Sequence, residues 1–206
     1  MISEKDIDEL TNKLSDMMLT TAREDLVVPD NMSNMTNFMI PMYTEAIKAF
    51  AANEACAKVL KKLLDFTKTD TMSMALTKVS EYDVAILEDF AENADSAVQI
   101  KLWQFLTLVI PEGNPNAYAY MMLAEHISDS NLDAGVKMYD FLLTIFPDHP
   151  LMLMSASECF FDSNQSEKAI KFLKHAKEIC EKDPSNETVQ ELLPEIDTLL
   201  KTIADE

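Results

Sequence analysis

Apolar residues recur at intervals of three and four along most of this chain, the spacing of helices buried along one side. Ile7, Leu10, Leu14 and Met17 make the first stripe, opened by Ser3 as an N-cap with Asp6 three residues on. Two heptads are too few for an isolated coiled coil, so this stripe needs a partner. Packing on its own body and homodimerisation are equally open. Val27 to Met42, "VVPDNMSNMTNFMIPM", holds two prolines among Asn, Ser and Thr, which predicts a linker at about 27–43 with helix resuming near Thr44. Cys56, Val59, Leu60, Leu63 and Phe66 then follow helical spacing, with Lys58, Lys61 and Lys62 pointing outward. "TKTD" breaks the pattern, and a short helix fits Met72 to Leu76.

The second half repeats itself. Glu125, Asp129, Ser130 and Asn131 are matched in order by Glu158, Asp162, Ser163 and Asn164, 33 residues later. Tyr120, Leu123, Ala124 and Ile127 make a helical stripe that Leu153, Ala156, Ser157 and Phe160 repeat. After each Asp-Ser-Asn, Gly135, Val136, Tyr139 and Leu142 are answered by Ala169, Ile170, Leu173 and Ala176. Small residues at such places let two helices cross closely, so each unit reads as a helical hairpin with a polar turn. Pro115, Pro150 and Pro184 are expected to open helices, with Asn114 and Asp183 as caps for two of them. A fainter unit starts at Ser80, carrying Val84, Leu87 and Ala91, then Ile100, Trp103, Phe105 and Leu106. From Pro184, the apolar face Val189, Leu192, Leu193, Ile196, Leu199, Leu200 and Ile203 predicts a closing helix over 184–206.

Composition narrows the chemistry. Two glycines, where average usage near ~7% would give about fourteen, leave no phosphate-cradling loop to be written. A formal charge of −19 repels nucleic acid and anionic lipid. No apolar run approaches the roughly 18 residues that span a bilayer, and the N-terminus lacks the pattern of a signal peptide. No membrane partner is therefore expected. Cys56, Cys159 and Cys180 read as reduced core thiols. His126, His149 and His175 have no zinc-site spacing, so neither a metal nor a cofactor is expected, and no nucleophile motif points to an enzyme.

The paired helices at 33 to 35 residues resemble the tetratricopeptide family, whose small-large-small signature is met by Ala124, Gly135 and Leu142 and again by Ser157, Ala169 and Ala176. The resemblance implies an all-α fold of about three tetratricopeptide-like helical hairpin repeats with a helical N-terminal arm and a C-terminal capping helix. The arm would span 1–78 and the repeat domain 79–206. More narrowly, "SASECFFDSNQSEKAIKFLKHAKEI" and the acidic surface resemble the class II, SycD/LcrH-type chaperones of bacterial type III secretion. That resemblance implies a protein of the bacterial cytoplasm that holds a hydrophobic secreted client, such as a translocator, in a concave groove.

The residues independently mark a candidate face. On the first helix of each hairpin, Tyr118, Met121 and Glu125, and then Leu151, Met154, Glu158 and Phe161, avoid the core stripe. No lysine or arginine falls between Asn116 and Asn131 or between Leu151 and Asn164, which disfavours capture of a carboxylate. Methionine and aromatic side chains suit an apolar peptide instead. Each methionine taken singly is more often core filling, and each glutamate more often a solvated charge, so the face is argued as a set. A scaffold joining folded subunits of an assembly is the alternative.

Overall fold

In the computed structural model the chain begins with a capping box. The Ser3 hydroxyl accepts the Asp6 N–H at 3.2 Å and the Asp6 carboxylate accepts the Ser3 N–H at 2.9 Å, which starts α1 (Glu4–Glu24). Backbone is described for residues 2–24 and 30–205, and side chains for 2–20, 39–187 and 189–204. The helices that follow are α2 (Asp30–Ala52), α3 (Glu54–Phe66), α4 (Met72–Leu76), α5 (Glu81–Glu92), α6 (Ser96–Leu106), α7 (Ala117–Ser130), α8 (Leu132–Ile145), α9 (Pro150–Asp162), α10 (Ser166–Lys182), α11 (Glu187–Gln190) and α12 (Leu193–Asp205). The fold is all-α, with no strand among the described residues and no helix there long and apolar enough to cross a membrane.

The chain forms two compact units, Met1–Ala119 and Tyr120–Glu206, with the boundary inside α7. The first hairpin, α5 and α6, thus belongs with the N-terminal helices, and the boundary expected at residue 79 lies inside this unit. Its core forms where α2 packs on α1, α3 and α6, and α3 on α5. Tyr43, Ala46, Ile47 and Phe50 are buried at i, i+3, i+4 and i+7, and the Phe50 ring lies 5.7 Å from both Phe90 and Phe105. Ser80 caps α5, and Lys62 reaches the buried Asp83 at 2.6 Å, which ties α3 to that cap.

One expectation for this unit fails. Val27 to Pro29 lie outside the described residues, but from Asp30 the supposed linker is helix and runs through Pro41 to Ala52. Pro41 removes one backbone donor, and its ring sits on the exposed side while the buried face continues past it. The first stripe packs on the body of the chain. Leu10 and Leu14 are 0% and 2% exposed, because α1 packs on α2, α3 and α4, and Ile7 and Met17 are half-buried. The chain itself occupies the face a second copy would need.

In the second unit α9 packs on both α8 and α10, and α10 carries α12. Ala169, Leu173, Ala176 and Cys180 line the buried face of α10. At the α7–α8 crossing, a Cβ on Gly135 would stand 2.3 Å from the Ser128 Cβ and 2.7 Å from its Cα, so only glycine fits. The doubled Asp-Ser-Asn phrase folds into two different turns. Asn131 caps α8 by accepting the Ala134 N–H at 3.1 Å. Asn164 instead takes the left-handed conformation at φ 62, with Gln165 N–H bonded to Phe160 O and Asn164 N–H to Phe161 O, a Schellman ending of α9.

The caps and the closing helix also differ from expectation. Asn116 and Asn186, each lying past its proline, accept the first-turn N–H groups in place of Asn114 and Asp183. Past Pro184 the chain makes one turn of helix, α11, before Pro194 enters the first turn of α12, so the closing segment is two helices rather than one. Gln190 donates to Cys180 O at 2.5 Å and Asp183 O at 3.2 Å, seating α11 on the end of α10.

Candidate functional site

Four helix starts share one device. Ser80 accepts the Asp83 N–H at 3.2 Å, Asn116 the Ala119 N–H at 2.9 Å, His149 the Met152 N–H at 3.3 Å, and Asn186 the Val189 N–H at 3.3 Å. Each cap bonds the residue three positions on, which fixes the rotation of the helix that follows. Counted from the caps, the second position holds Tyr82, Tyr118 and Leu151, the fifth Ala85, Met121 and Met154, and the ninth Asp89, Glu125 and Glu158. The residues chosen from sequence on α7 and α9 are therefore equivalent. Their counterparts on α5 were missed, because that unit lacks the doubled phrase; counting from the Ser80 cap finds them. Tyr82 is 76% exposed there, and with Asn53, Ile86, Asp89 and Phe90 it lines an open groove of about 570 Å³ between the start of α3 and α5.

The structure divides the candidates. Met121 and Met154 are each only 5% exposed, so the expectation that they present an open surface is corrected. The cause on α9 is its central position: with helices packed on two sides, Met152 through Ser157, Cys159 and Phe160 are all buried. Only a narrow stripe stays accessible, made of half-buried Leu151, exposed Glu158 and half-buried Phe161. Met154 is the floor of that stripe. Tyr118 is half-buried and engaged within the first unit, where its hydroxyl donates to Glu92 at 2.7 Å and its ring stands edge-on to Trp103 at 5.7 Å.

Glu125 is half-buried. Burial raises its pKa, and the hydroxyl of buried Ser155 and the charge of His126 oppose that rise. Glu158 keeps an accessible side chain, yet the protein around its carboxyl raises its pKa, and the charges of Glu195, Glu125 and Asp162 add to the effect. The two carboxylates thus feel one another across neighbouring hairpins. The hydroxyl of Tyr139, a residue 0% exposed, has no hydrogen-bond partner among the described residues; burial raises its pKa first, and the charges of Glu125, Cys159, Glu158 and Asp129 add to the rise.

Two of the histidines serve structure. His149 caps α9, and His175 meets Asp148 at 2.8 Å. All three cysteines are free and buried, and burial pushes the Cys56 thiol up to about 11. Among the described residues no group of three or more His, Cys, Asp or Glu is placed to hold a metal ion. Compared with protein-family models, curated proteins and solved structures, the chain matches none.

Proposed function

We propose that this chain is a non-catalytic chaperone whose tetratricopeptide-like hairpins bind a hydrophobic export client, such as a type III secretion translocator, and keep it soluble in the bacterial cytoplasm. The observation that carries the reading is the register of the caps at Ser80, Asn116 and His149, which sets an apolar or aromatic residue two positions on and an acid nine positions on in three successive hairpins. A face that repeats along the chain suits an extended guest, and the absence of lysine and arginine from α7 and α9 suits an apolar one. In the second unit the guest meets Leu151, Phe161, Glu125 and Glu158 over the buried floor of Met154.

The test is co-expression of the full chain with a hydrophobic protein encoded beside it. The chaperone reading expects that protein to move from the insoluble to the soluble fraction, and to stay insoluble with a Leu151→Glu, Phe161→Glu double variant that keeps its helicity. An unchanged fraction with the wild type refutes the reading. A scaffold joining folded subunits is favoured by a different observation, the exposure of Phe141 and Ile145 on α8, 57% and 42%. That alternative expects a neighbour that is soluble alone and whose binding is lost with Phe141→Ser instead.

A further inference from the structure

The open groove between the start of α3 and α5 lies wholly within the first compact unit, and its walls are fixed from behind. The buried Cys56 thiol donates to Ile86 O at 3.7 Å, and the Phe90 ring rests on Phe50 at 5.7 Å. A site whose walls are already in place loses little freedom when a guest arrives. Tyr82, Ile86 and Phe90 supply apolar surface, and about 570 Å³ falls within the roughly 300–1,000 Å³ of pockets that hold small ligands. That is room for a few side chains of a peptide segment.

One end of the groove is negative for three separate reasons. Lys62 meets Asp83 and Cys56 meets Ile86, so α3 and α5 run antiparallel and Asn53 lies at the end where Asp89 and Asn93 stand. Asp89 is exposed there and meets no lysine or arginine among the described residues. Asn53 follows the last residue of α2, and Asn93 is the C-cap of α5, so two helices end at this place. A helix C-terminus carries a partial negative charge that a basic residue in the last turn commonly offsets, and neither helix has one. The asparagines are committed to the backbone: Asn53 accepts the Ala55 and Cys56 N–H groups at 2.9 and 3.1 Å, and Asn93 donates to Asp89 O at 2.8 Å. No lysine or arginine lines the groove.

Resting on the chaperone reading, we infer that this groove receives an arginine of the guest, carried on a segment that is otherwise apolar. The planar guanidinium lies against the Phe90 ring, and its donors reach the Asp89 carboxylate and the negative ends of α2 and α5. Tyr82 stands about 10 Å along α5 from Asp89, at 1.5 Å per residue, so it takes an apolar neighbour of the arginine and not the charge itself. Lysine brings the charge without the stacking plane or the forked donors.

The probe is a set of fluorescein-labelled 12-residue peptides of alternating leucine and serine with arginine, lysine or citrulline at one central position, titrated by anisotropy against the full chain. Citrulline keeps the shape of arginine and removes its charge. The arginine peptide is expected to bind about tenfold more tightly than the citrulline peptide, as one charge-assisted hydrogen-bonded pair would give, with lysine between them. Asp89→Asn should bring arginine to within about twofold of citrulline, whereas Tyr82→Ser should weaken all three peptides alike and leave the preference in place. Both side chains are exposed, and circular dichroism checks that the helices are kept. Equal binding of the arginine and citrulline peptides, or a preference that survives Asp89→Asn unchanged, overturns the arginine site while leaving an apolar-client chaperone standing. Binding of none of the three overturns the groove as a peptide site, and the co-expression test decides the chaperone reading separately.

Discussion

Gly135→Ala sets helix propensity against packing at a place where the two have opposite signs. In an exposed helix the change is stabilising by about 1 kcal/mol, since alanine loses less backbone entropy. At this crossing the new methyl would lie 2.3 Å from the Ser128 Cβ, 2.7 Å from its Cα and 3.2 Å from its backbone nitrogen. Carbon atoms rest near about 3.5 to 4.0 Å, so α7 and α8 must separate by more than about 1 Å. Two of the three clashing atoms are backbone, and no rotamer change relieves them. Overpacking of this kind costs about 1–3 kcal/mol even where side chains can move aside, and the upper end applies here. Subtracting the propensity gain leaves a loss of about 2 kcal/mol.

Urea unfolding followed by circular dichroism measures that loss as a shift of midpoint at constant slope. Trp103, the one tryptophan, lies in the other compact unit, so its fluorescence tracks that unit separately. Adding Ser128→Gly removes the 2.3 Å contact but leaves the Cα at 2.7 Å, and should restore only part of the stability. A Gly135→Ala chain as stable as the wild type, or more so, would refute the close crossing and with it the spacing that fixes α7 beside α8.

The pH response follows from opposite shifts in two sets of acids. Burial raises Glu88, Glu125 and Glu158, so the folded chain holds their protons better than the unfolded one and their contribution to stability grows as pH falls toward the ordinary glutamate range near about 4.3. Asp6, held down to about 2 by its bonds to Ser3 and Lys61, stabilises above the unfolded aspartate range and is lost below it. The urea midpoint should therefore rise from neutrality toward about pH 5 and fall below about pH 4, with the rise flattened in the Glu125→Gln, Glu158→Gln chain; a midpoint that falls steadily from neutrality contradicts this. Met154→Glu buries a charge and should cost several kcal/mol, on the order of 3 or more, whereas Leu151→Glu on the accessible stripe should cost about 1 kcal/mol or less; equal losses by urea titration would contradict the division of α9. Leu14→Ala should cost about 2–5 kcal/mol by a mechanism internal to one chain, so its urea midpoint should not depend on protein concentration; a concentration-dependent midpoint would restore the dimer.

How far the sequence could be read depended on whether a signal was periodic or local. The helical stripes on α3, α5, α9 and α10 and the small residues Gly135 and Ala169 depend on spacing alone, and the structure places them where spacing says. The failures are local. Proline was given authority over its neighbours, yet Pro41 sits inside a helix because its ring faces outward, and asparagines beyond Pro115 and Pro184 outcompeted the residues before them as caps. Burial of Met154 was illegible for another reason. A pattern on one helix marks its most apolar side, and α9 carries neighbours on two sides, so a second stripe is buried that periodicity assigns to the surface.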